Sequence, residues 1–346
     1  MSDPGSDQAS LVEAARKRSA APRCPTHPGP LVESYFAKLN SPDGERALWL
    51  KLTAARRPGA ETTLAEAWAV AFRRGHPPRA TKQAWQLREP ELRQAFRRGS
   101  QIQLGQCELS EVGLRGALPL GDSGSLALSW ELRFAAGELN EPLFPLPAAL
   151  YGDALPTGKL VSHQPDLRFN GEYEVAGERV VVSGWRGMLG HNWSRRHTPT
   201  YAWFHCNQFR REEDGASLDC VLEAVSAPLL AGRRVGSAVL RFKGLSIPFG
   251  FLDWQRKVEA RSPSSWVFSA RRSGAALRVE VQALESETAG LRYDNPTGGG
   301  VDCLNSKLAK VRVVLERPNA DALCLVSDSG ALEHGHVGAH PVRMLL

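Results

Sequence analysis

Three of the nine histidines, His191, His197 and His205, fall within fifteen residues, in a stretch that also carries Asn192, Trp193, Tyr201, Trp203 and Asn207. Imidazole titrates near neutral pH, so His191 and His205 are the candidate acid and base groups, with Asn192 and Asn207 placed to orient a substrate or a water. Glycine recurs at every third position of Gly184-Trp185-Arg186-Gly187-Met188-Leu189-Gly190, where it permits a tight turn or the close approach of another backbone or a ligand. If Tyr201–Phe209 is a strand, Tyr201, Trp203, His205, Asn207 and Phe209 project from one face. A wall with that much aromatic area and two polar handles suits a pocket for an apolar ligand. A plainer reading accounts for the same residues: Asn192 closes a turn, Trp193 fills the core and His205 satisfies a buried hydrogen bond. A zinc site on these histidines has no carboxylate or cysteine spacing behind it beyond Cys206.

The elements that must position these groups are strands. In Leu64–Phe72 the even positions are Leu64, Glu66, Trp68, Val70 and Phe72 and every odd one is alanine; in Ser125–Phe134 the even positions are Leu126, Leu128, Trp130, Leu132 and Phe134. Such alternation predicts strands with one buried and one wetter face. Leu92–Arg98 reads as a helical turn, and no long amphipathic helix is visible beyond it. Residues 135–170, with Pro142, Pro145, Pro147, Pro156 and Pro165, read as a long irregular connection that packs as a lid or links two domains. Short strand patterns then resume with turn signals such as Asp214-Gly215 and Ser273-Gly274, which predicts antiparallel sandwiches or barrels. The expected organisation is a disordered N-terminal arm over 1–30, a β domain over 31–183 and a second over 184–346.

Composition bounds the function classes. The 346 residues are 42% hydrophobic and 23% charged, enough apolar material for a core. The net charge of +6 is scattered as arginine pairs (Arg56-Arg57, Arg195-Arg196, Arg271-Arg272) rather than gathered on one run, which argues against a nucleic-acid partner. Six dispersed cysteines without a C-x-x-C pattern read as free thiols of a reducing compartment. No stretch has the roughly 18 apolar residues of a membrane helix, and no signal-peptide core follows the N-terminus, so a cytoplasmic location is expected.

The segment Gly187–Trp193, followed by His197 and Tyr201–Phe209, resembles the Gly-x-x-Gly-His-Asn-Trp-Gly…His…Trp motif of the carotenoid 1,2-hydratase (hydroxyneurosporene synthase)-like and AttH-like superfamily. Ala47–Thr53, Glu66-Ala67-Trp68, Lys82-Gln83 and Leu150–Val175, with its loop Leu155-Pro156-Thr157-Gly158-Lys159, are similar to the same proteins, so the likeness runs over most of 31–317. Ser194 stands where a glycine usually follows the tryptophan, and Gly190 stands where the hydratases more often carry an acidic residue. The resemblance implies two lipocalin-like β-barrels side by side. It covers isoprenoid hydratases, cyclases including Diels–Alder catalysts, and lipid-handling proteins without chemistry, so fold does not choose among them.

Elsewhere, Leu291–Gly300 lacks the strand–glycine–helix order of a phosphate loop and reads as a hairpin near a barrel mouth, where Tyr293 could reach a ligand. Asp253 ends an apolar stretch and offers a carboxylate, although a strand-end aspartate is usually a turn former. His334 and His336 would point one way from a strand but lack a third metal ligand. The expectation is therefore an all-β, double lipocalin-like protein. It would act without cofactor or metal on a hydrophobic isoprenoid or polyene, as a hydratase (hydro-lyase) or cyclase/isomerase. His191, His205 and Asn192 would be catalytic; Trp193, His197, Tyr201, Trp203, Asn207, Tyr293 and Asp253 would bind substrate. The alternative is a non-enzymatic lipid carrier. Peripheral contact with a membrane surface and the oligomeric state stay open.

Overall fold

Apart from helical residues 17–20, one short helix, α1 (Glu89–Ala95), and two single 3-10 turns, the described residues are organised by strand alternation. The computed structural model describes residues 14, 17–27, 29–97, 101–120, 126–146, 148–151, 158–228, 234–242, 244–255 and 259–346. Its first sheet uses β1 (Leu31–Asn40), β2 (Arg46–Arg56), β3 (Thr63–Arg73), β4 (His76–Leu87), β5 (Ile102–Leu104), β6 (Cys107–Leu109), β7 (Gly113–Leu120), β8 (Leu126–Ala136), β9 (Lys159–Val175) and β10 (Glu178–Ser194). They lie in the order β4-β3-β2-β1-β10-β9-β8-β7-β6-β5. The Thr81 hydroxyl of β4 donates to the Pro119 carbonyl of β7, so the sheet curls back on itself into a nearly closed barrel.

The second sheet uses β11 (Ala202–Cys206), β12 (Phe209–Arg211), β13 (Ser217–Leu218), β14 (Cys220–Pro228), β15 (Arg234–Phe242), β16 (Leu245–Phe249), β17 (Ala260–Ser262), β18 (Ser265–Arg272), β19 (Ala275–Gln282), β20 (Ala289–Asp294), β21 (Gly300–Arg317) and β22 (Ala320–His336). Its main path is β16-β15-β14-β11-β22-β21-β19-β18-β17, with β20 paired to β21. An isolated bridge between Trp254 and Ala270 draws its two ends together. The expected all-β, lipocalin-like architecture holds.

Alternation has a different meaning on the two barrels' facing sides from the one expected. On β8 the pattern is as predicted: Leu128, Trp130 and Leu132 are buried while Glu131 and Arg133 are exposed. On β3 neither face is wet. Ala65, Ala67, Ala69 and Ala71 belong to the core inside the first barrel, and Trp68, Val70 and Phe72 belong to a cluster shared with the second barrel. Small side chains fill the inside of this strand because its bulk is spent on the outside. The same division holds on β1 and β2, where Ala37, Leu39, Leu48 and Leu50 point in and Phe36, Ala47 and Trp49 point out to the second barrel.

Three boundaries differ from the sequence-based expectation. Residues 17–27 are not a free arm: Ser19, Ala20 and Cys24 are buried, and the Tyr35 hydroxyl donates to the Ala20 carbonyl at 2.9 Å. The irregular connection is shorter than 135–170, because Pro165 sits in β9, a strand that starts at Lys159. The sheets change between Ser194 and Ala202, not at 183/184, since β10 runs unbroken through Gly184–Ser194 between β1 and β9. The stretch expected to open the second domain is thus part of the first barrel's wall. The loop residues 155–157 lie outside the described residues.

The glycines of β10 serve close approach. A Cβ on Gly187 would stand 2.2 Å from the Lys38 carbonyl oxygen, and one on Gly190 2.3 Å from the Phe36 ring. Backbone cannot yield as a side chain can, so Gly187→Ala is expected to cost about 3 kcal/mol through overpacking at the β1–β10 ladder. Urea denaturation checks this, and a loss below about 1 kcal/mol would mean that the strands part more easily than the geometry implies.

Candidate functional site

The first barrel's interior leaves a cavity of about 10 Å³ among residues such as Leu50, Leu52, Leu109, Leu114, Trp130 and Leu189. That is about the minimum for one water, so side chains fill this barrel. The chemistry-bearing residues lie instead on the seam where the two barrels pack. From the first barrel, β1, β2 and β3 contribute Phe36, Lys38, Asn40, Trp49, Lys51 and Trp68. From the second, Trp203, Tyr293 and Cys303 face them, with Glu223, Asn305, Lys307 and Glu333 beside.

Strand pairing sets the second barrel's side of the seam. His205 of β11 is directly opposite Glu223 of β14, and Trp203 is opposite Glu333 of β22, which is opposite Asn305 of β21. Residues directly opposite in an antiparallel pair share a face. The predicted wall of Tyr201, Trp203, His205 and Asn207 therefore forms, but it faces the first barrel rather than a ligand cavity within the second. Phe209 is a correction. The chain leaves strand geometry at Asn207 and Gln208, the alternation breaks, and Phe209 enters the second barrel's own core.

Glu223 is the chemically most unusual group on this face. It is 1% exposed; Ser162 Oγ and Trp203 Nε1 donate to its Oε1 at 2.6 and 2.9 Å, while its Oε2 has no partner among the described residues. Burial pushes this carboxyl up to about 7, against the two hydrogen bonds and the Arg241 charge, which pull it down. His205 stacks at 6.2 Å from the Trp203 ring. Its Nε2 meets the Pro165 carbonyl at 3.1 Å and its Nδ1 is buried without a partner among the described residues. Nε2 therefore carries the hydrogen, and Nδ1 keeps a free lone pair. Burial, with Lys38 and Lys307 nearby, holds this imidazole well below its ordinary value, so it is neutral at pH 7. It is a candidate base and not an acid. Asn207 is a pin between barrels: it donates to Gly187 O at 2.8 Å and accepts from Lys38 Nζ at 3.3 Å.

Further along the seam, Lys307 Nζ donates to Asn305 Oδ1 at 2.5 Å and Glu333 Oε1 at 2.8 Å. Tyr201 donates to Cys303 Sγ at 3.2 Å. Burial first, then the Glu333 charge, pushes the Cys303 thiol up to about 12, so it is no thiolate nucleophile. His197 lies over the Tyr293 ring at 4.9 Å, and burial with the Lys51 charge pushes it down to about 3.

His191 belongs to a separate network. Its Nε2 is 2.7 Å from Glu33 Oε1 and its Nδ1 2.7 Å from the Ser19 carbonyl, with the Tyr35 ring stacked at 4.2 Å. Glu33 also accepts the backbone N–H groups of Arg23 and Cys24 at 2.7 and 2.6 Å. Burial alone would raise this carboxyl, but those hydrogen bonds outweigh it and hold it below the usual carboxylate value. This network fastens residues 17–24 to the barrel. Trp193 joins it, stacking near His191 at 4.7 Å with Arg23 over its ring at 4.8 Å. The three clustered histidines thus go to three different environments.

Asn192 is half-buried on β10, opposite Ser34 and Leu160. Asp253 accepts the Gly250 N–H at 2.6 Å within a turn. His336 sits by His340 at 5.3 Å, and no group of three metal-ligating side chains occurs among the described residues. Sequence reasoning missed Glu33, Lys38, Lys51, Glu223, Lys307 and Glu333. The available signal was a lone charge within an apolar strand run, as in Leu50-Lys51-Leu52 and Leu222-Glu223-Ala224.

No protein-family model matches the chain, and no curated protein matches it by sequence. Among solved structures, an AttH candidate protein from Nitrosomonas europaea superposes over 91% of this chain and 97% of its own, at a TM-score of 0.51 and 15% identity. The fold is AttH-like. At that identity the likeness concerns the fold alone. A protein of unknown function from Nostoc punctiforme, at 9% identity and a TM-score of 0.16, shares too little geometry to carry an argument. No helix among the described residues is long and apolar enough to cross a membrane.

Proposed function

We propose that the chain is a cofactor-independent enzyme that transfers a proton to a hydrophobic, unsaturated substrate of the isoprenoid or polyene class at the seam between its barrels. The observation that carries this reading is the Glu223 carboxyl: buried, raised to about 7 and left with an unpartnered oxygen beside the Trp203 indole. A carboxylic acid that keeps its proton at neutral pH is the donor an alkene needs, and an indole face stabilises the carbocation that results. The neutral His205 Nδ1 is placed to take a proton back. From an attacking water that gives hydration; from a neighbouring carbon it gives isomerisation or ends a cyclisation. The hydratase-like and cyclase-like relatives suggested by the His191-Asn192-Trp193 motif fit within this class. His191 itself, held between Glu33 and Ser19, would act in folding rather than in proton transfer.

Incubation with farnesol or squalene in deuterated water tests the proposal without presuming the product. Protonation at carbon leaves deuterium in the recovered hydrocarbon, with or without added water, and Glu223→Gln should abolish the label. A bound lipid returned unlabelled would favour the carrier reading instead.

A further inference from the structure

Four lysines are buried among the described residues: Lys38, Lys51, Lys159 and Lys307. Lys38 donates to Asn40 and Asn207, Lys307 to Asn305 and Glu333, and Lys159 also has an interaction partner. Lys51 is 5% exposed and has no hydrogen-bond acceptor among the described residues. Its Nζ instead lies against aromatic faces, 3.6 Å from the Tyr293 ring centroid and 5.6 Å from that of Trp68. A buried ammonium without acceptors bears most of its desolvation cost, and ring faces return only part of it. The neutral amine is free of that cost and is a nucleophile. Burial pushes Lys51 down to about 8, against the attraction of the Glu333 and Glu66 carboxylates, so the nucleophilic form is present near neutral pH.

The surroundings of this amine are apolar. Trp68, Tyr293, Tyr201 and Leu291 belong to or pack on the seam's apolar cluster, as do Leu345 and Leu346. The segment carrying those two leucines is held along β20 by backbone bonds from Gly290, Arg292 and Leu345.

We infer that Lys51 is a covalent capture site for an apolar aldehyde or ketone. The amine nitrogen adds to the carbonyl carbon as the C=O π bond breaks, giving a carbinolamine. The C–O bond then breaks and a C=N bond forms; the two amine protons leave with the oxygen as one water. The inference goes beyond proton transfer by Glu223 and does not depend on it, because capture is read without turnover.

The test is reductive trapping. The full chain is incubated at pH 8 with farnesal or decanal and sodium cyanoborohydride, then analysed by intact mass and peptide mapping. One adduct per chain at Lys51 is expected, ahead of the exposed Lys310, and at least tenfold less total adduct in Lys51→Arg. Lys51→Met, which keeps the seam apolar, should fold, melt no lower than the parent and also lose the adduct. Label spread over surface lysines with Lys51 unmodified, or equal labelling of the parent and both variants, would overturn the inference. Either failure leaves the deuterium result on Glu223 standing.

Discussion

His191→Ala is expected to lower stability by about 3–5 kcal/mol, the cost of taking the hydrogen-bond partner away from a buried carboxylate. Both side chains are 0% exposed, and the Glu33 carboxylate would remain in place, still accepting the Arg23 and Cys24 N–H groups but without the imidazole. The loss should be visible locally first. Residues 17–24 are fastened through Ser19 O to His191 and through Arg23 and Cys24 to Glu33, so trypsin should cut after Arg18 and Arg23 far faster in the variant. Adding Glu33→Gln should recover much of the loss, because it removes the stranded charge; a double-mutant cycle in urea measures this coupling. The acid limb carries the same signature. A carboxyl held below its unfolded value contributes stability that is present above about pH 4.5 and is lost as pH falls through the folded value. That part of the pH dependence should shrink in His191→Ala. A loss under about 1 kcal/mol, with no change in proteolysis, would mean that the apolar contacts of Cys24 and Ala20 hold the segment instead.

Glu223→Gln should behave in the opposite way: more stable at alkaline pH and catalytically dead. The carboxyl rises from its usual 4.5 to about 7 in the folded chain. At about 1.4 kcal/mol per pH unit this corresponds to about 3 kcal/mol. A group whose folded value lies above the unfolded one stabilises fully below the unfolded value and loses that contribution as pH rises through the folded value. The parent protein should therefore lose about 3 kcal/mol between roughly pH 4.5 and pH 8, and the glutamine variant should not. Gln keeps an acceptor for Ser162 and Trp203 but has no acidic proton, so turnover should fall about 10²–10⁴-fold, the usual worth of a general acid. Urea titrations at pH 5 and pH 8 separate the two effects. A parallel pH profile in parent and variant would show that Glu223 is not the buried acid described above.

Much of this protein is legible in its amino-acid order. Alternation in Leu126–Phe134 and Leu64–Phe72, the turn dipeptides and the absence of long helical periodicity determine an all-β chain, because strand geometry is a local property with period two. The one-face array of Tyr201, Trp203, His205 and Asn207 follows from the same period. Which way that face looks is not local. A sheet position alternates between in and out whatever covers the outside, so Trp68 and Val70 read as one strand's buried face when they are in fact its outer one, covered by a second barrel. The hydrogen bonds of His191 to Glu33, 158 residues earlier, and of Trp203 to Glu223 depend on strand order and register. Register is set by packing and turns along the whole sheet, not by spacing within a segment. Sequence thus determined the strands and the density of unusual side chains in Gly184–Phe209. Tertiary structure alone divided that segment between the two barrels, assigned its histidines to different neighbours and buried the carboxyl and amine of the seam far enough from water to change their chemistry.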